Sequence, residues 1–208
     1  MATRDPWPVI HSERGALADD LSDLTAAQWQ TESLCQGWSV HDVLGHLTST
    51  AKMTLPQFLL RLAGSGFRFN SMADKNIARE TAGGPDATLA EFRRVRSSTS
   101  APPGPVDTWL GEAIVHAEDI RRPLGIRHTY PAESMQQAAD FYKGSNLLIG
   151  AKNRIAGLRL HASDTDWTTG SGPEVTGPML SLLLAMTGRT AAIDDLTGEG
   201  TASLRSRR

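Results

Sequence analysis

The chain has 208 residues, which is enough for one large domain or for a helical bundle with a small appendage. Its net charge is −2, which gives no reason to expect nucleic acid or an anionic membrane as a partner. A single cysteine, Cys35, excludes an internal disulfide. No secretion signal and no apolar run of membrane-spanning length is found in the sequence, so we expect a cytoplasmic protein that binds neither nucleic acid nor membrane.

Helical spacing dominates the first two thirds of the chain. Apolar residues line one helix face over residues 10–24. Ser39 is a good N-cap, and Asp42 suits the first turn of a second helix. We expect this helix to run to about Leu55, where Pro56 either kinks or restarts it.

The pattern changes character after residue 150. Before it, residues 63–73 read as a connection, and further helices are predicted over residues 75–81, 88–95, 109–122 (ending before Pro123) and 133–148. After it, we predict short strands at residues 157–161, 173–176 and 201–204 and helices at residues 178–187 and 191–196. The fold class is therefore mainly α, with a helical bundle over residues 1–150 and a small α+β domain over residues 151–208.

Glu112 and His116 are the most informative pair of residues. They are four apart in a predicted helix and so share one face. The pair is either a metal-binding pair or a plain ion pair, and spacing alone does not separate the two. His46, from the second helix, would complete three ligands and leave a position open for water or substrate. The alternative for His46 is a hydrogen-bonded residue at the edge of the core.

Three other side chains have two interpretations each. Asp119 either accepts the second ring N–H of His116 or pairs with a neighbouring arginine on the surface. Arg189 either holds a substrate carboxylate or compensates charge at a helix C-terminus. Cys35 is either a nucleophile or a small buried hydrophobic residue.

Two motifs carry a resemblance to a known family. The segment SLCQGWSVHDVLGHL (residues 33–47) resembles the N-terminal motif of the mycothiol-dependent maleylpyruvate isomerase family, and GEAIVHAED (residues 111–119) resembles its second motif. Residues 158–198 resemble the small appended domain of that family. Residues 63–105, which we expect to line the substrate side, match nothing in it.

The resemblance implies a DinB-like four-helix bundle and a divalent metal, usually zinc, held by His46, Glu112 and His116. It also implies that mycothiol binds the metal as a thiolate and adds to a small electrophile such as an activated double bond or an epoxide. Isomerisation follows if the adduct expels the thiol, and S-transfer follows if it does not. Asp119 would assist catalysis, and Arg189 would contact an anionic substrate.

Three functional hypotheses follow for a monomer or homodimer. The first is a metal-dependent, mycothiol-using isomerase or S-transferase. The second is a metal-dependent hydrolase on the same bundle, with Glu118 or Asp119 as general base. The third is a non-catalytic protein in which the metal is structural or absent.

Overall fold

The structure is a computed structural model that describes residues 5–147 and 149–207, and Leu148, the predicted end of one helix, lies outside the described residues. It is mainly helical with one small three-stranded sheet, which confirms the predicted fold class. Contacts divide the chain into two compact units, residues 5–128 and residues 129–207. Among the described residues, no helix is long and apolar enough to cross a membrane.

The N-terminal unit is a helical bundle. Its helices are α1 Trp7–Asp20, α2 Ala26–Trp29, α3 Val40–Lys52, α4 Leu55–Ala63, α5 Phe69–Thr81, α6 Pro85–Val95 and α7 Val106–Arg121. Helices α1, α3, α6 and α7 surround one core, to which they contribute Leu17, Leu44, Phe92 and Ile120, and α5 packs on the outer side of α3. Burying such side chains supplies the main stabilisation of the unit.

Helix α3 begins as predicted. The Ser39 hydroxyl accepts a hydrogen bond from the Asp42 amide at 3.2 Å, and the Asp42 carboxylate accepts one from the Ser39 amide at 2.9 Å, which forms a capping box. The helix ends at Lys52, and Pro56 lies in the first turn of the separate helix α4, so the proline restarts the helix.

Helix α5 begins earlier than expected, at Phe69, within the stretch predicted as a connection. The reason is tertiary. Met72 is buried against Met53 and Phe58 in a small second core beneath α4. This contact between helices favours helix in a segment whose own composition reads as a loop.

The C-terminal unit combines helices with the sheet. Its elements are α8 Ala132–Gly144, α9 Ala151–Arg154, β1 Arg159–Ala162, β2 Thr168–Gly170, β3 Glu174–Gly177, α10 Met179–Met186, a 3-10 helix Thr190–Asp195 and α11 Thr201–Ser206. The strand order is β2-β1-β3, with β1 antiparallel to β2 and parallel to β3.

Two details of this unit differ from the sequence prediction. The prediction of a strand at residues 201–204 is wrong, because these residues begin helix α11, which buries Leu204. Helix α8 packs against α10, and contacts place both helices in the C-terminal unit. Strand β2 lies in a segment that reads only as turns.

Gly45 allows α3 to approach α5 closely. A Cβ atom at this position would lie 2.7 Å from Thr81 Cγ2. The Thr81 hydroxyl donates to the Ile77 carbonyl at 2.9 Å, so the methyl group cannot turn away without breaking that bond. We expect Gly45→Ala to lower the free energy of unfolding by about 1–2 kcal/mol, because the overlap outweighs the gain of about 1 kcal/mol in helix propensity.

The matched control is Gly15→Ala in α1, where nothing lies within 4 Å of the new Cβ and the propensity gain alone should stabilise the protein. Thr81→Ser removes the obstructing methyl group and keeps the hydroxyl, so the Gly45→Ala/Thr81→Ser double variant should recover stability. Urea denaturation of the four proteins measures this. Equal effects of the two glycine substitutions would contradict the packing explanation.

Glu91 links α6 to α3 through charge. Hydrogen bonds from Arg94, and then from Lys52, lower the pKa of Glu91 to about 2. A depressed carboxyl pKa adds stability that is complete above the usual value of 4.5 and is lost as pH falls towards about 2. We expect Glu91→Gln to flatten the decline of stability across this window, as measured by thermal unfolding at stepped pH. Glu199→Gln, at an exposed carboxylate, should leave the profile unchanged.

Candidate metal centre

Helix α7 presents Glu112, His116 and Asp119 at successive turns of one face. Glu112 is 9% exposed and Asp119 is fully buried, so this face looks into the protein. Glu112 and Asp119 are therefore not on a solvated helix surface. Burial of these polar groups requires partners for them.

His46 on α3 meets this face. Its Nε2 atom lies 3.7 Å from Glu112 Oε2, and the His46 and His116 rings have their centroids 4.9 Å apart. The structure thus brings together the three side chains that the sequence analysis selected.

Glu112 is held as a carboxylate. The Thr50 hydroxyl donates to its Oε1 atom at 2.6 Å. Burial alone would raise the pKa of Glu112, but His46, His116 and the Thr50 hydrogen bond together lower it. Buried Arg14 on α1 adds a favourable charge interaction with Glu112. An ionised carboxylate beside two imidazoles is a suitable donor set for a divalent metal.

Asp119 holds His116. Its Oδ2 atom lies 2.8 Å from His116 Nδ1, which is one of the two contacts that the sequence left open for Asp119. The thiol of Cys35 also donates to Asp119 Oδ2 at 3.0 Å and lies 3.6 Å from His116 Nδ1. A carboxylate at Nδ1 favours the tautomer that carries its proton there, so a metal would be bound through Nε2.

The alternative partners of Asp119 are engaged elsewhere. Arg121 contacts Asp20 at 2.7 Å, and Arg122 contacts Glu118 at 3.2 Å. The interpretation of Asp119 as part of a surface ion pair is wrong, because its side chain is fully buried.

The loop before α3 lies against the site. Its Leu34 amide donates to the Asp119 carbonyl at 3.1 Å, and Ser33 closes the turn by donating to the Trp38 carbonyl at 2.7 Å. The Trp38 ring lies 5.1 Å from that of His46, centroid to centroid. The loop thus places one thiol and one indole beside the two imidazoles.

Two overlapping donor sets exist here. The ligand atoms of Cys35, His116 and Asp119 lie within 4.8 Å of one another, so these residues are a possible metal site. The set predicted from sequence is His46, Glu112 and His116. They share His116 but require different ring nitrogens, because Asp119 and Cys35 lie at Nδ1.

The other four of the six histidines have structural contacts away from the site. His41 contacts Thr88 at 2.9 Å, and burial lowers the pKa of His41, which keeps it neutral. The other contacts are those of His11 with the Ser98 carbonyl, His128 with Glu13 and His161 with Glu174.

Arg189 belongs to the C-terminal unit. It follows helix α10 and donates to the Thr187 carbonyl at 2.9 Å, a contact that fits charge compensation at a helix C-terminus. Its role as a substrate contact stays a prediction.

Sequence reasoning did not assign three residues of the site. Thr50 had a usable signal, since it lies one helical turn after His46 on the same face. Trp38 and Cys35 lie within the motif of residues 33–47, but helical spacing does not place them, because their positions depend on how the loop folds onto α7.

Comparison with known proteins adds a family and a fold. Residues 10–121, more than half of the chain, match the family described as Mycothiol maleylpyruvate isomerase N-terminal domain. No curated protein sequence matches. Two solved structures of a mycothiol-dependent maleylpyruvate isomerase, one of them a histidine-to-alanine mutant, share the fold with TM-scores of 0.64 and 0.63. Each is 16% identical and covers 94% of this chain and 92% of its own.

The two donor sets make opposite predictions about metal content. If His46, Glu112 and His116 hold zinc, Glu112→Gln should lose it, because a carboxylate is replaced by a neutral amide. We expect Cys35→Ser to retain zinc, with affinity reduced by at most about 10–100-fold, because the thiol only supports Asp119. Elemental analysis after dialysis measures both. Zinc retained in Glu112→Gln and lost in Cys35→Ser would move the site to the cysteine set.

Proposed function

Since the chain belongs to the family described as Mycothiol maleylpyruvate isomerase N-terminal domain, we propose that it is a metal-dependent enzyme that uses mycothiol. The reaction is an isomerisation or an S-transfer on a small electrophile. The observation that carries the proposal is the meeting of His46, Glu112 and His116, two imidazoles and one buried carboxylate from two helices.

The residues present fit a divalent metal. Nitrogen and oxygen donors in this combination suit zinc, and three protein ligands leave a position open. Glu112 has a lowered pKa and is ionised at neutral pH. Asp119 at His116 Nδ1 supplies the outer contact that a ligating histidine needs. We therefore propose His46, Glu112 and His116 as the metal ligands.

Zinc bound there would supply a Lewis acid that keeps the thiol of mycothiol deprotonated at neutral pH. Thr50 fixes the orientation of Glu112 through Oε1. Asp119 keeps the proton on His116 Nδ1 and so fixes its tautomer. Trp38 packs beside the His46 ring.

The thiol sulfur would form a C–S bond to an electrophilic carbon of the substrate as the carbon–carbon π bond or the epoxide C–O bond breaks, which leaves a carbanion or an alkoxide. If the double bond re-forms after rotation and the C–S bond breaks, the thiol is returned and the substrate is isomerised. If the C–S bond is kept, the carbanion or alkoxide takes up a proton, and the product is a thioether. We propose Arg189 as a contact for an anionic substrate group. One chain supplies all three ligands, so a monomer or a homodimer would serve, and we propose a cytoplasmic location.

The hydrolase alternative gains no support from the carboxylates suggested as its base. Glu118 pairs with Arg122 at 3.2 Å, and Asp119 contacts His116 and Cys35. Hydrolysis would also proceed without added thiol, which separates the two reactions by experiment.

Substitution of His116 tests the proposal. We expect His116→Ala to lose both its zinc and its mycothiol-dependent turnover of electrophiles with an activated double bond or an epoxide, because one ligand is removed. Metal content is measured by elemental analysis and turnover by product formation with and without thiol. His161→Ala, at an exposed histidine of β1, should match wild type in both. Thiol-dependent turnover that persists in His116→Ala would refute the mechanism.

A further inference from the structure

A cavity lies between α4 and α5. Its volume is about 500 Å³, and its lining includes Leu60, Arg61, Lys75, Asn76 and Arg79. We call it the α4–α5 pocket. Its size is typical of pockets that bind small molecules. None of the proposed metal ligands, which lie on α3 and α7, lines it.

Three cations converge on this pocket. Arg61 and Arg79 each donate through Nη1 to the same acceptor, Asn76 Oδ1, at 3.0 and 3.1 Å. Lys75 donates to the Gly64 carbonyl at 2.9 Å. Within residues 5–147 and 149–207, none of the three cations has a carboxylate within 4.0 Å. Neutral oxygens therefore hold three positive charges together.

This arrangement is electrostatically unfavourable by itself. Burial lowers the pKa of Arg61, the like charge of Arg79 lowers it further, and Glu80 offsets only part of the effect. Glu80 itself binds Lys52 at 2.8 Å. Each guanidinium has five N–H donors, so most of them remain available to a ligand. The pocket is complementary to an anion with several acceptor oxygens.

We propose that the α4–α5 pocket binds the phosphate group of a small phosphomonoester that carries an apolar substituent. A phosphate dianion offers oxygens to two guanidinium forks and one ammonium, whereas a carboxylate is satisfied by a single fork. The apolar part would lie on Leu60, which lines the pocket and is exposed. A soluble phosphomonoester and a phospholipid headgroup share this chemistry.

Calorimetric titration of the full chain with phenyl phosphate tests the proposal. We expect saturable binding to wild type that weakens with added salt, and affinity at least tenfold lower in Arg61→Gln and Arg79→Gln. Lys75→Gln should also weaken binding. Because Lys75 is exposed, this variant still tests the proposal if an arginine variant fails to fold. Arg96→Gln removes an exposed charge outside the pocket and should bind as wild type does. Benzoate should bind more weakly than phenyl phosphate.

Vesicles separate the two sources of phosphate. The protein is sedimented with vesicles of phosphatidylcholine that contain phosphatidic acid, and with vesicles of phosphatidylcholine alone. Binding only to the first kind, and only when the same three cations are present, would identify a phospholipid headgroup as the ligand. The proposal is overturned if wild type binds neither phenyl phosphate nor these vesicles, or if the three substitutions leave binding unchanged. Zinc content should equal that of wild type in each variant, so failure of this proposal leaves the proposed function unaffected.

Discussion

The buried carboxylate of Glu112 is the constraint on which the N-terminal unit depends. A lone carboxylate at this depth would be costly, and the cost falls only if positive or donating groups surround it. Thr50, His46, His116 and Arg14 supply those groups from α1, α3 and α7. The register of these three helices is therefore fixed by polar pairing as well as by the apolar core that they share.

This dependence explains why part of the site can be predicted from the sequence. Glu112, His116 and Asp119 lie on one helix, and their common face follows from helical spacing alone. The start of α3 is equally local, because Ser39 and Asp42 cap each other. His46 then falls on a determined face of α3, and the contact between α3 and α7 brings it to Glu112.

The parts that sequence did not reveal depend on contacts between distant segments. Cys35 reaches Asp119 only because its loop folds onto α7, and nothing near it in sequence signals this. Helix α8 looks like a continuation of the bundle until its packing against α10 is seen. Leu204 ends a stretch that was predicted as a strand, but this stretch forms the short helix α11, which buries the Leu204 side chain.

The proline after α7 has a consequence for the loop that carries Cys35. The helical donor for the Asp119 carbonyl would be the amide of residue 123, which is Pro123 and has no N–H. That carbonyl instead accepts the Leu34 amide at 3.1 Å. Because Pro123 lacks an amide hydrogen, the Asp119 carbonyl at the end of α7 is available to bind the loop. This contact determines where the Cys35 thiol and the Trp38 indole lie.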